Sequence, residues 1–330
     1  MKKILLLQTG GTISMHFDQH GSRLDPEKWT EVLYREVPEL EKIALIDIQN
    51  LFFEDSSDLN QKHWISLSSR IYEQLSDYDG FVILHGTDTM AYTASALSFA
   101  LPGLSKPVIL TGSQVPMSKI RSDARRNLIN AVELATCNVP EVAICFNDHL
   151  YRGNRSTKMS INDFDAFASP NHPPLAEIGI KINLSEKVLQ SGTLTPQHQP
   201  FFDNSLYVIR LYPNLNPSFL NEILLNPLNA VIIEAFGHGN VPSRGELSLL
   251  PFIQRCRDRK CHVIITTQAP FDEVDLDLYE GSRRIRDMGA LSAGGMTMEA
   301  TVTKTMHLLG KEWPEPDFRE LFMRNLCGER

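Results

Sequence analysis

Residues 80–101, GFVILHGTDTMAYTASALSFAL, pass from a short apolar run through His-Gly-Thr-Asp-Thr into an Ala- and Leu-rich stretch. A strand-length apolar run, a glycine turn and a helix-forming segment together make one βα unit. The same rhythm recurs on either side. KILLLQTG, ALIDIQN, PVILTGS and EVAICFND read as strands, with helices expected near residues 26–36, 60–76, 89–101 and 122–137. Such alternation implies an α/β fold around a mostly parallel sheet. A second series follows residue 204, with SLYVIRLYP, NAVIIEAFG and CHVIITTQAP as strands and GELSLLPFIQRCRD and MTMEATVTKTMHLL as helices. Between the two series, NLSEKVLQSGTLTPQHQPFFDN is polar and lacks a long periodic pattern. The expected organisation is residues 1–185 as an N-terminal domain, 186–204 as a linker and 205–330 as a C-terminal α/β domain.

The chain has 330 residues, is 42% hydrophobic and carries a formal charge of -8. That length supports a sizeable core. The scattered charge offers no basic stripe for a phosphate backbone, so nucleic acid is not the expected partner. Five cysteines without a CxxC pair fit a reducing compartment and read as small buried thiols. ILLL near the start is too short for a signal-peptide core, and no stretch approaches the roughly 18 apolar residues of a membrane span. A cytoplasmic location without membrane partners is expected.

Ligands of open α/β sheets bind beyond the carboxyl ends of strands, so the residues after each apolar run carry the candidate chemistry. TGGTI (9–13) lacks a dinucleotide fingerprint and a GK[ST] phosphate loop. It is either a turn that needs unusual backbone angles or a place where Thr9 and Thr12 present hydroxyls beside exposed backbone N–H groups, as acyl transfer requires. In HGTDTM (85–90), Thr87 and Asp88 sit at a helix entrance, where either could serve as an N-cap. Two hydroxyl-bearing strand ends in one sheet favour the functional reading. DSSD (55–58) is a helix-entry loop or a set of polar fingers for the charged ends of a small amino acid. RGNRSTKMS (152–160) reads as a polar loop whose Lys158, if buried beside Asp88, could act as a general base. No histidine lies in a metal-ligand pattern and no GxSxG elbow is present. No metal is expected, and threonine remains as the nucleophile.

TGGTI, DSSD, GFVILHGTDTM, LTGSQVPMSKIRSDARRNL, LYRGNRSTK, DAFASPN and GGMTMEATVTK, in this order, resemble the motifs of the bacterial-type L-asparaginases, and more closely their cytoplasmic type I branch. The resemblance spans essentially the whole chain. It implies a larger N-terminal domain with a mixed, largely parallel sheet and a smaller flavodoxin-like C-terminal domain. It also implies hydrolysis of L-asparagine to L-aspartate and ammonia through a covalent acyl-enzyme, without a cofactor. By the same resemblance Thr12 is the nucleophile, and Thr87, Asp88 and Lys158 form a second triad. Asp55, Ser56 and Ser57, with Asp88, hold the substrate's α-amino and α-carboxylate groups. Sites of this family form between neighbouring subunits, implying a homodimer or homotetramer, with residues 235–242 (AFGHGNVP) near the partner's site.

Two departures from the family pattern stand out. The loop after the first strand has no tyrosine, and Ser22 occupies its place. The positions of a regulatory asparagine site known in some members are Glu234 and Ala269 here, which implies no activation of that kind. Two alternatives remain: the amidase subunit of a tRNA-dependent amidotransferase, and an amino-acid-binding sensor that has lost turnover.

Overall fold

A computed structural model of the chain describes residues 1–14, 33–189, 195–313 and 317–330. Ser22 and most of the helix expected near 26–36 lie outside these residues. Two compact units divide the chain, Met1–Pro200 and Phe201–Arg330. Part of the expected linker belongs to the first unit. Gln197 and Gln199 donate their backbone N–H groups to the carbonyls of Pro102 and Ala100, and His198 stacks on Tyr72.

The strands of the first unit are β1 (Lys3–Gly10), β2 (Leu45–Glu54), β3 (Gly80–Leu84), β4 (Val108–Thr111), β5 (Val142–Phe146), β6 (His149–Arg152), β7 (Thr157–Lys158), β8 (Phe167–Ala168), β9 (Ala176–Ile178) and β10 (Ile182–Leu184). Eight of them form one sheet in the order β10-β9-β6-β5-β4-β3-β1-β2. From β5 to β2 all neighbours are parallel, and from β5 outward to β10 they are antiparallel. The sheet is therefore mixed, as the family resemblance implied.

The segment read as a polar loop at 152–160 is only partly one. Arg152 ends β6, and Lys158 lies in β7, which pairs with β8. HLYR is too short to carry a readable period, so its strand character comes from pairing with β5 and from the buried ion pair of Arg152 with Glu141 at 2.6 Å.

The central strands are apolar on both faces because helices cover both. Phe81 and Ile83 of β3 pack under α1 (Gln61–Glu73) and α2 (Met90–Ala100), while Val82 and Leu84 face α3 (Ala124–Ala135). Every residue of α2 except Tyr92 is buried, and its small Ala and Ser side chains let the helix sit close to its neighbours. Asn60 opens α1 with a capping box, which fixes where the DSSD turn gives way to helix.

The second unit holds β11 (Leu206–Arg210), β12 (Ala230–Ala235), β13 (His262–Thr267) and β14 (Leu291–Ser292), all parallel and in sequence order. α4 (Leu250–Asp258) and α5 (Glu280–Asp287) cover one face, α6 (Met298–Leu309) and α7 (Phe318–Met323) the other. The polar sequence of α5, EGSRRIRD, buries Ile285 and Ser282 alone, too few apolar residues over too short a span to be read as a helix beforehand. Within α6 the fully buried Lys304 is ion-paired with the equally buried Glu329 of the C-terminal segment and also donates to the carbonyl of Arg324. No helix among the described residues is long and apolar enough to cross a membrane.

Candidate active site

The carboxyl ends of β1, β2, β3 and β4 converge on one cleft of about 200 Å³, lined by Gly11, Thr12, Asp55, Ser56, Gly86, Thr87, Asp88, Gln114, Lys158 and Ile161. Close backbone approach makes the convergence possible. Gly10 and Gly11 have φ of 108° and 81°, and a Cβ on Gly11 would lie 2.4 Å from the Gly86 nitrogen. A Cβ on Gly86 would in turn lie 2.6 Å from Ser56 Oγ. Side chains at these positions would hold the three loops apart, and the glycines contribute only backbone to the cleft wall.

The two threonines of TGGTI divide their work. Thr9 is buried and donates its hydroxyl to the Leu84 carbonyl at 2.7 Å, tying β1 to β3. Thr12 starts a 3-10 turn and lines the cleft.

The helix entrance after β3 is capped by neither of its polar side chains. Thr89 donates instead to the Ser56 carbonyl at 2.7 Å, tying the β3 loop to the β2 loop. Asp88 makes a tertiary contact of its own: its Oδ1 accepts from Lys158 Nζ at 2.7 Å. The same Nζ donates to Thr87 Oγ1 at 2.7 Å. Lys158 is 15% exposed in its side chain and Asp88 64%, so the lysine is held from below while the carboxylate faces the opening.

Around β2, Asp55 accepts from the backbone N–H and the hydroxyl of Ser57 at 2.9 and 2.8 Å. Asp55 is thus both the cap of a short turn and a wall of the cleft. Ser56 is 3% exposed and lines the cleft, whereas Ser57 does not line it and spends its hydroxyl on Asp55. Beneath the loops, His85 is fully buried, and burial lowers its pKa to about 4. Its Nδ1–H donates to the Gly86 carbonyl at 2.7 Å, which requires the neutral ring to carry its proton there.

Chemically, the cleft offers hydroxyls, a lysine in contact with one of them, and more carboxylate than ammonium charge. That balance suits a small zwitterion whose ammonium meets Asp55 or Asp88. Residues 3–190 match the family described as asparaginase, N-terminal, and residues 206–322 match the glutaminase/asparaginase C-terminal domain. The chain belongs to the asparaginase family. The Escherichia coli K12 protein named L-asparaginase 1 is 39% identical, with 99% of this chain and 98% of that one aligned. Among solved structures, the thermostable L-asparaginase from Thermococcus kodakarensis superposes with a TM-score of 0.90 at 34% identity, covering 99% of this chain and 98% of that one. L-asparaginase I from Vibrio cholerae gives 0.88 at 37%, with the same coverage.

Two residues of this asparaginase-family cleft, Gln114 and Ile161, were not singled out from the sequence. Gln114 Oε1 accepts the Thr87 hydroxyl at 3.2 Å, and its Nε2 donates to the carbonyls of Ser160 and Asp163. Its backbone N–H and that of Val115 donate to Asp123, which Asn127 also contacts. Gln114 lies three residues past the end of β4, in the region where strand ends carry the chemistry. The segment was read only as part of a longer motif. Elsewhere in the second unit, Glu234 is engaged by Arg210 at 2.9 Å, and the Ala269 N–H donates to Thr267 Oγ1.

Proposed function

We propose that the chain is an L-asparaginase that hydrolyses L-asparagine to L-aspartate and ammonia through a threonine acyl-enzyme. The observation that carries this reading is Lys158 Nζ, 2.7 Å from both Thr87 Oγ1 and Asp88 Oδ1, in a cleft that Thr12 also lines. Thr12 attacks the side-chain amide carbon, and the backbone of the Gly11–Thr12 turn meets the developing oxyanion. Thr87, held between Lys158 and Gln114, relays the proton of the attacking group to Lys158, which Asp88 orients. Ammonia leaves. Water, activated through the same Thr87–Lys158 pair, then releases aspartate.

Asp55 and Asp88 recognise the α-ammonium group, and Ser56 the α-carboxylate. Ser57 acts through Asp55, keeping that carboxylate oriented. Glutamine is one methylene longer, a difference that a pocket separates by only about 1–3 kcal/mol, so weaker glutaminase activity accompanies the main reaction. The working form is a cytoplasmic homodimer or homotetramer, with residues 235–242 of one subunit near its neighbour's cleft.

The test is ammonia release from L-asparagine and L-glutamine by wild type, Thr12→Ala and Thr87→Ala over a range of concentrations. Each variant is expected to lose kcat far more than binding, because both hydroxyls act on the transition state. Asparagine saturation is expected to be hyperbolic, with Glu234 and Ala269 at the regulatory positions. A well-folded wild type that is stabilised by asparagine without consuming it would overturn the reading in favour of a sensor.

A further inference from the structure

The second unit contains a cavity of about 350 Å³ that the proposed reaction does not use, bordered by Arg257, Lys260, Cys261, His262, Asp287 and Arg319, among others. It forms where α4 ends. The Lys260 N–H donates to the Arg257 carbonyl and the Cys261 N–H to the Cys256 carbonyl, both at 2.9 Å, with Lys260 at a φ of 59°. These are the two bonds of a Schellman closure, which folds the residue after the left-handed position back onto the helix's last turn. That contact is usually between two hydrophobic side chains. Here the two residues are Cys261 and Cys256, both buried in the same apolar cluster.

The bland account is a pair of small buried side chains sealing a helix end. The cavity and its charge go beyond that account. Cys256 is fully buried, while Cys261, 4% exposed, forms part of the cavity wall. Arg257, Lys260 and Arg319 border the same space. The one carboxylate there, Asp287, is held by Arg286 at 2.7 Å, so the cavity presents a surplus of positive charge. His262 adds none near neutral pH, because burial, reinforced by Arg319, lowers its pKa. The neighbouring Cys256 thiol lowers the pKa of the Cys261 thiol, and the bordering cations favour its thiolate.

We propose that Cys256 and Cys261 form a dithiol that is oxidised to a disulfide by an anionic low-molecular-weight disulfide taken up in this cavity. The Cys261 thiolate attacks one sulfur of the small disulfide, forming a mixed disulfide and expelling one small thiolate. Cys256 then loses its proton and attacks the Cys261 sulfur, expelling the second. Two electrons pass from the protein dithiol to the small disulfide, and the two thiol protons end on two molecules of small thiol. Arg257, Lys260 and Arg319 bind the carboxylates of the reagent and direct it to Cys261. The site lies in the second unit and does not depend on the asparaginase reading.

The probe is oxidised glutathione, applied to the folded full-length protein, with uncharged bis(2-hydroxyethyl) disulfide as the control and mass spectrometry of the intact and digested chain as readout. The expected product has lost two hydrogens, contains a linked Cys256–Cys261 peptide and reverts with dithiothreitol. Cys256→Ala is expected to stop at a glutathione adduct on Cys261, and Cys261→Ala to leave Cys256 unmodified. The double variant Arg257→Glu/Arg319→Glu changes only exposed side chains and leaves the core intact. It should slow the glutathione reaction roughly tenfold and leave the uncharged reagent's rate unchanged. Equal glutathione rates in that variant and wild type would overturn the docking role of the cavity. Adducts confined to the half-buried Cys137 and Cys327 would overturn the dithiol itself.

Discussion

Replacing Lys158 with methionine separates the chemistry of the cleft from its stability. Methionine keeps an unbranched apolar stem and removes the ammonium that lies 2.7 Å from Thr87 Oγ1 and Asp88 Oδ1. The ion pair contributes little to folding. Asp88 is 64% exposed, so solvent screens the pair to about 0–1 kcal/mol, and the melting temperature should fall by no more than about 2 °C. Catalysis should respond quite differently. A positioned general base accelerates by about 10²–10⁴-fold, equivalent to roughly 3–5 kcal/mol of barrier. Initial rates of ammonia release from asparagine should therefore show kcat reduced by that factor and KM changed by less than about threefold. Lys158→Arg sharpens the test, because arginine retains the charge beside Asp88 but does not release its proton. The arginine variant is expected to be as slow as the methionine one. Near wild-type turnover in either variant would refute proton transfer through Lys158, and recovery in arginine alone would show that charge is what the position supplies.

Gln114→Leu removes the acceptor of the Thr87 hydroxyl, and kcat should fall about tenfold with KM nearly unchanged, as one lost hydrogen bond of about 1.4 kcal/mol would give. Steady-state kinetics on asparagine check this, and a change in KM alone would assign Gln114 to binding. Burial lowers the pKa of both His85 and His307 to about 4, below the ordinary value near 6.5, so the unfolded chain takes up protons that the folded one refuses. Their contribution to stability is present above about pH 6.5 and is lost as pH falls toward 4, by roughly 3 kcal/mol per histidine. Urea unfolding from pH 7.5 to 4.5 should show this fall, and His307→Gln should flatten it; an unchanged slope in the variant would show that His307 is not responsible. Glu329→Gln leaves Lys304 charged and buried without its counter-ion, and unfolding of the second unit should cost about 3–5 kcal/mol less. Chemical denaturation checks it, and a loss below about 1 kcal/mol would mean that the pair is not stabilising against a neutral isostere.

Much of this protein was readable without coordinates. KILLLQTG coincides with β1, and the central strands and longer helices lie within a few residues of their expected places. Buried parallel strands and amphipathic helices write their periodicity into the sequence over many residues. The antiparallel edge was not readable, because β6, β9 and β10 are three or four residues long and exist through pairing with one another and with β5. α5 was not readable for a related reason, since eight residues with Ile285 as their one apolar side chain give no apolar run to recognise.

In the cleft, the sequence determined which residue types stand at the strand ends, and the resemblance of its motifs named the family. Residue type and spacing alone could not divide those residues between bland and chemical duties; only the resemblance assigned Thr12 and Asp88 chemical ones. By local pattern Asp88 was as good a helix cap as a lysine partner; in the fold its carboxylate meets Lys158, a residue 70 positions away. Thr9 and Thr12 were equivalent hydroxyls until the chain reversal at Gly10 and Gly11 committed Thr9 to the sheet and placed Thr12 at the cleft. Gln114 gained its part only because Asp123 and Asn127 hold its loop beneath Thr87. Local propensity depends on neighbours along the chain, whereas a hydrogen bond's choice of partner depends on distance in space, and only the folded sheet sets those distances.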